Sequence, residues 1–564
     1  MKPPITSIEE LDYDKTYLVP LGGQSEIGAV INLLINKGKI LIIDSGACYP
    51  KQNLPGVDLL FPNTSFLENN QTAICGMVLS NCQESNIGSI FYLLQHIKIP
   101  KIVAPKFIIN FLYEYNYKNF NDEILISNFN TEIIEDEYYL DPFKINWLSL
   151  FYPDEFMIKI ENELNIILYT SIFKISQSPN IPQKINFSNL SKLKNAQKNV
   201  VLMSSSAGIE NVGYSHDELN LFNHYNNILA QNHDHNRIII VTNQLNISRI
   251  HLINNLINKF SLKLFVFSDF LVSYFNCYNK LYPKIQFESL SELQSNPSTQ
   301  KLIVISSDQG NAYSALNDYA NDSLINLSPQ KDDIVIFNSE ITLGQKRIMA
   351  KIADKLLSLG VNLYQEPDYN VFTSEYASQE DLKFILNLIN PNAFIPIIGE
   401  YRHIYQHINL AKANLPNTTV IAALNNGCVY DCNLGFVAEK TLQVESSLIY
   451  FSTKQGEKIS TSSVKERRNL CYEGVVSVSL VVDKNKTIHS ISVQEHASGI
   501  RFNPKWHDTI NNIETIVNEK FKSINDINDM DLNHETELLR QDIIRSIKSQ
   551  YFFKPYLQVL ITVI

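Results

Sequence analysis

Residues 77–90 read MVLSNCQESNIGSI, an apolar strand end followed by small polar residues and a helix start. Such a junction is where α/β proteins carry out chemistry, because strand carboxyl ends and helix amino ends converge there. The side chains on offer are Asn81, Gln83, Ser85 and Asn86. These are neutral amides and a hydroxyl, able to hydrogen-bond but weak as acid, base or metal ligand. Other candidates are sparse. His403 and His407 stand four apart on a predicted helix, a spacing that can seat one metal, but without a carboxylate beside them they read as helix surface. His233-Asp234-His235 lies among Asn and Gln and reads as a solvated turn. Cys428 and Cys432 read as thiols flanking a short strand rather than a metal half-site.

The elements that must position these residues follow from hydrophobic periodicity. Strands are predicted at 17–19, 30–35 and 39–43, the last two joined by a Lys37-Gly38 hairpin. Strand and helix then alternate: strand 76–79, helix 87–96, strand 101–104, helix 106–115, with strands at 145–150 and 165–170. A second, mostly parallel α/β region starts near 215, with strands at 237–242, 263–267, 301–306 and 334–337 between helices at 218–230, 248–260 and 348–359. Strand 393–396 and helix 403–413 follow, then a linker at 437–448. Beyond it, segments 473–482 and 490–493 and a helix at 511–524 lead to segment 535–548 and a last apolar strand at 556–564.

The 564 residues are too many for one core and suggest three to four domains. The formal net charge of −11 argues against a general nucleic-acid binder, while leaving room for local basic patches such as Lys192–Lys194–Lys198 and Lys465–Arg467–Arg468. Seven dispersed cysteines without a C-x-x-C pair point to reduced thiols. No apolar run approaches a membrane span, and the start MKPPITSIEELDYD lacks the pattern of a signal or transit peptide. The expected compartment is the one of synthesis: the cytoplasm, or the plastid stroma if organelle-encoded. The richness in Asn, Ile, Lys, Phe and Tyr suits an AT-rich plastid or reduced bacterial genome equally.

Several stretches, in order, resemble ribonuclease J, of the β-CASP branch of the metallo-β-lactamase fold. They are PLGGQSEIG (20–28), LIIDSG (41–46), LPGVD (54–58), the loop at 77–90, YTSIFK (169–174), IPIIGEYR (395–402) and VKERRNLCYEGVV (464–476). The resemblance implies an α/β fold: a metallo-β-lactamase αββα sandwich with an inserted β-CASP domain and a small carboxyl-terminal α/β domain. The sandwich would take 1–217 and 366–436, the insertion 218–365, and the last domain 449–564.

The family cuts RNA with two cations, zinc or manganese, that activate a water and stabilise charge on the phosphate. Its three loop histidines fall on Asn81, Gln83 and Asn86, and its loop aspartate on Ser85. Its later ligand histidine falls at about Leu150, its bridging aspartate on Ile172 and its last histidine on Ile398. None keeps the ligand, so the resemblance implies no metal cofactor and no catalytic residue here. The family's other cleft positions correspond to Asp44, Ser205, Ser248, Arg249, Gln309, Gly310, Ser374, Tyr376, Gly399 and Glu400. Asp44 is the one acidic member of the active-site set left, and it reads as a hydrogen-bond acceptor for its loop.

The expected function is that of a ribonuclease J-like protein without hydrolase activity, a partner or scaffold in RNA processing. Two alternatives stand beside it: an active 5′-exo/endoribonuclease with an atypical site, and a protein-binding role unrelated to RNA. The expected partners are RNA, held weakly, and a second subunit. That subunit would be a copy of this chain or an active ribonuclease J.

Overall fold

The computed structural model describes residues 3–563, apart from 51–53, 120–130, 135–136, 150–153, 176–186, 233–236, 244, 296–299, 307–311, 342–344, 418, 434–435, 438–441, 453–455, 484–487, 496–505, 523–531 and 551–554. It falls into two compact units: residues 1–48 with 61–448, and residues 49–60 with 449–564.

Two sheets build the sandwich of the first unit. One runs antiparallel through Thr16–Pro20, Asn32–Asn36 and Lys39–Ile43, then parallel through Ile74–Val78, Ile102–Pro105 and Thr131–Ile134. The other runs through Glu137–Leu140, Phe143–Ser149, Phe156–Glu161, Asn165–Thr170, Asn199–Ser205 and Ala393–Ile397, ending on Val420–Ile421. Their facing apolar side chains share one core: Leu18, Leu34, Leu41 and Ile43 from the first sheet meet Ile145, Ile158, Ile167 and Val201 from the second. Strands buried on both faces read as continuous apolar runs, which is why Asn165–Thr170 and Ala393–Ile397 are buried throughout.

The inserted region is an all-parallel sheet ordered Glu288–Ser289, Lys263–Phe267, Lys301–Ile305, Arg237–Thr242, Ile334–Asn338 and Asn362–Tyr364. This is the α/β organisation that the resemblance implies, a metallo-β-lactamase sandwich with a β-CASP insertion. In the second unit, Ile488–Glu495, Val475–Val482 and Tyr556–Val563 form a three-stranded sheet. One face packs on helices Trp506–Lys522 and Leu532–Gln550 through Val478, Leu480, Ile513, Ile543 and Leu557.

Three expectations need correction. The helix foreseen at 87–96 is two pieces, Glu84–Ile87 and Ile90–His96. The Ser89 N–H leaves the helical ladder to bond the Ser45 carbonyl at 2.9 Å, which ties the loop to the neighbouring strand end. The segment foreseen from 473 is a strand from Val475, because Glu473 closes an unforeseen helix, Thr461–Glu473, and Gly474 at φ +77° makes the turn. The third concerns His403 and His407, foreseen as surface, which are 3% and 0% exposed. His403 faces Glu210 at 3.3 Å, and His407 Nδ1 pairs with the Ser206 hydroxyl at 2.9 Å. Helical spacing fixes which residues share a face but not whether that face is covered. His233–His235 lies outside the described residues.

Candidate functional site

Four strand ends of the sandwich converge around the 80–86 loop, those of Lys39–Ile43, Ile74–Val78, Asn165–Thr170 and Ala393–Ile397. Immediately after them stand Asp44, Ser80 with Asn81, Ser171 with Ile172, and Ile398. The turn at Asp44 is left-handed, with φ +61°, a conformation that Asp tolerates through local hydrogen bonds. The chain then passes so close to the loop that a Cβ on Gly46 would sit 1.6 Å from the Ser85 carbonyl oxygen; only glycine fits.

The Asp44 carboxylate is fully buried and is the hub of the site. Its Oδ1 accepts the Ser80 N–H at 2.8 Å. Its Oδ2 accepts from the Ser80 hydroxyl at 2.8 Å, Asn86 Nδ2 at 2.6 Å and the Tyr169 hydroxyl at 2.6 Å. Asn81 Nδ2 donates to the Ser171 hydroxyl at 2.7 Å and to the Ser80 hydroxyl at 3.1 Å, while its oxygen accepts the Gln83 N–H at 2.8 Å. Ser85 donates to Asn86 Oδ1 at 2.7 Å. Burial pushes the Asp44 carboxyl up to about 6, although the donors from Tyr169, Asn86 and Ser80 pull it back.

This donor set does not fit a two-metal centre. The amide N–H groups of Asn81 and Asn86 are held by Ser171 and Asp44 on the adjoining strand ends, and Gln83 Nε2 turns to Glu375. Ile172 and Ile398 are 2% and 1% exposed and supply only carbon. Ile398 also holds φ +48°, a region that costs a β-branched residue on the order of 1–3 kcal/mol. Its N–H bonds the Gly23 carbonyl at 2.8 Å, so the backbone there is fixed by the neighbouring loop whatever the side chain. Leu150, Gln309 and Gly310 lie outside the described residues.

The other cleft positions divide into two groups. Arg249 enters a buried charge cluster at the junction of the sandwich with the inserted sheet. It reaches Glu218 at 2.9 Å, Asn338 Oδ1 at 2.7 Å and the Thr373 carbonyl at 3.3 Å. Lys174 joins from the sandwich side, 3.3 Å from Glu218 and 3.1 Å from the Thr373 hydroxyl. Burial alone would raise the Glu218 carboxyl, but Arg249 and Lys174 hold it at about 2. Ser248 is buried beside Arg249 on helix Ile247–Phe260. Ser374 caps the Tyr376 N–H at 3.1 Å, and Tyr376 bridges to Phe173.

Ser205, Gly399 and Glu400 belong elsewhere. Ser205 is buried at the end of strand Asn199–Ser205, and Glu400 caps helix Tyr401–Asn414. A Cβ on Gly399 would come within 2.9 Å of the His403 Cβ.

Ser80, Tyr169, Ser171, Lys174, Glu218 and Glu375 carry as much of this site as the residues singled out from the sequence. Tyr169, Ser171 and Lys174 lie inside the YTSIFK segment already noted, and polar side chains flanking a strand end were the signal available.

Residues 235–356 match the family described as "Ribonuclease J, beta-CASP domain". The chain is 26% identical over 483 residues to ribonuclease J of Helicobacter pylori (strain J99), covering 83% of this chain and 68% of that protein. It is 26% identical over 494 residues to ribonuclease J of Thermus thermophilus, covering 85% of this chain and 84% of that one. It is 26% identical over 488 residues to ribonuclease J2 of Bacillus subtilis (strain 168), covering 85% and 86%.

Proposed function

Because the chain belongs to the ribonuclease J family, we propose that it is a member without hydrolase activity that serves RNA processing as a binding partner or scaffold. One observation carries this reading. The loop that would hold two cations is closed on itself by hydrogen bonds among Asp44, Ser80, Asn81, Asn86, Tyr169 and Ser171. Phosphodiester cleavage of the family's kind needs a metal-activated water and a cationic clamp on the phosphate. Neither has a donor set among the described residues.

The protein is therefore expected to purify without stoichiometric zinc or manganese, since affinity depends on several deprotonated ligands acting together. Elemental analysis checks this. One or two such ions per chain, removable by chelator, would favour the active-enzyme reading instead.

We assign the sandwich to 1–217 and 366–436, the insertion to 218–365 and the last domain to 449–564. RNA binding is expected to be weak and to fall steeply with salt, because contacts from scattered lysines act through counterion release. Of the basic residues noted in the sequence, Lys198 is already engaged by Glu161 at 2.8 Å. Among the described residues, no helix is long and apolar enough to cross a membrane.

The proposed partner is a second subunit. Strand Tyr556–Val563 lies at one edge of its sheet and carries no charged side chain, a pattern that invites another strand. Self-association is the commoner outcome among soluble oligomers. Light scattering at micromolar concentration is expected to give a dimer. A monomer that also recovers no ribonuclease in pull-downs would remove the scaffold reading.

A further inference from the structure

A second polar site lies beside the loop, centred on two carboxyls outside the family's ligand positions. Asp154 and Glu155 lead into strand Phe156–Glu161 and are 3% and 4% exposed. Asp154 Oδ2 accepts the Ile247 N–H at 3.2 Å and the Tyr274 hydroxyl. Asp154 Oδ1 and Glu155 Oε2 are buried with no hydrogen-bond partner. Both residues line a cavity of about 10 Å³ with Asn81, Gln83, Asn246 and Tyr274. That is about the room one water-sized atom requires. Buried carboxylate oxygens left unpaired are costly, so an occupant that satisfies both is strongly favoured.

Charge points the same way. Asp154, Glu155, Glu375 and Glu218 interact with one another and with Lys174 and Arg249, four acids against two bases. Burial and this acid excess raise the Asp154 and Glu155 carboxyls, so they hold protons that a bound cation would displace. We propose that the cavity binds one divalent cation of the oxygen-seeking kind, Ca²⁺ in preference to Mg²⁺, between Asp154 and Glu155. Asn81, Gln83 and Asn246, each with a carboxamide oxygen, also line the cavity. The oxygens of Asn81 and Asn246 each accept one backbone N–H and keep a second lone pair. Ca²⁺ accepts irregular oxygen cages, whereas Mg²⁺ retains several waters that so small a space excludes.

Zinc fits poorly, because burial keeps Cys82, which also borders the cavity, a thiol. Among the described residues no three His, Cys, Asp or Glu are placed to hold a metal ion, so a cation here rests on two carboxyls and neutral oxygens. These carboxyls lie outside the family's ligand positions, while Asn81 and Gln83, two of those positions, share the cavity, and the site stands whether or not the protein cuts RNA. Its ion would fasten the 80–86 loop to helix Ile247–Phe260 across the junction.

Calorimetric titration of the chelator-treated full chain with CaCl₂, with MgCl₂ and ZnCl₂ as separate arms, tests this. The expected result is one Ca²⁺ per chain, Mg²⁺ weaker, and a rise in melting temperature that saturates with Ca²⁺. Glu155→Gln should weaken Ca²⁺ binding by at least about tenfold and abolish most of that rise. Asp154→Asn should do the same, but it also disturbs the Tyr274 and Ile247 contacts, so Glu155→Gln decides if that variant misfolds. Absence of Ca²⁺ binding in the wild-type chain would overturn the proposal and leave protons or a water to satisfy the carboxyls. So would binding that Glu155→Gln leaves unchanged, or tighter binding of Zn²⁺ than of Ca²⁺.

Discussion

Replacing Arg249 by alanine is expected to destabilise the protein by about 3–5 kcal/mol, because it strands Glu218 in the interior without its main counter-charge. Arg249, Glu218 and Lys174 are 3%, 3% and 1% exposed, so water cannot take over the lost contacts. Glu218 keeps only Lys174, at 3.3 Å, and Asn338 loses its donor. The penalty belongs to the unpaired charge rather than to the pair itself. A double replacement, Arg249→Met with Glu218→Leu, should therefore recover much of the loss. Urea unfolding of the three chains measures both effects. A single variant within about 1 kcal/mol of wild type would mean that solvent reaches the cluster.

The second large effect is on the pH dependence of stability. Asp44 ionises at about 6 in the fold against an ordinary 3.8, chiefly because burial penalises its charge. A raised carboxyl holds its proton longer in the folded state, so its contribution is most favourable below pH 4 and is lost as pH rises towards 6. The rise from 3.8 to about 6 corresponds to roughly 3 kcal/mol. Comparing wild type with Asp44→Asn isolates this term. The stability of wild type relative to the variant should fall by that order between pH 4 and pH 6, and then level off. A difference that grows in favour of wild type over that range would show Asp44 to be stabilised as the anion. Glu218 works in the opposite sense: held at about 2, its contribution is lost only as pH falls below the ordinary carboxylate range.

The parts of the fold that were legible in the sequence are those that periodicity controls. The strands at 39–43, 165–170 and 237–242 and the helix at 218–230 are uninterrupted apolar or amphipathic patterns, and each appears within a residue or so of its expected place. The short strands Leu59–Pro62 and Glu137–Leu140 carry too few residues to show a period, and they form because a neighbouring strand offers hydrogen bonds. Helix Thr461–Glu473 was hidden because most of its residues are polar and its few apolar ones mark no helical period. Of the site, Asp44 and the amides of the loop were visible as residue types at a strand end. The donors that satisfy them were not. Tyr169 is 125 residues from Asp44 and on the other sheet, and only the face-to-face packing of the two sheets brings them together. The carboxyls of Asp154 and Glu155 were equally hidden, since burial and not identity makes them unusual.

The central claim, that the loop has exchanged metal chemistry for a closed hydrogen-bond network, is tested most directly by incubating the purified chain with 5′-monophosphorylated single-stranded RNA. Reactions without added metal, with Mn²⁺ and with Mg²⁺ would be followed for both end-wise and internal cleavage. No hydrolysis above background is expected in any of them, because the family's ligand positions among the described residues offer no donor set for the ions that would activate water. Robust cleavage that depends on added metal and disappears in Asp44→Ala would contradict the account and establish an active ribonuclease with an atypical site.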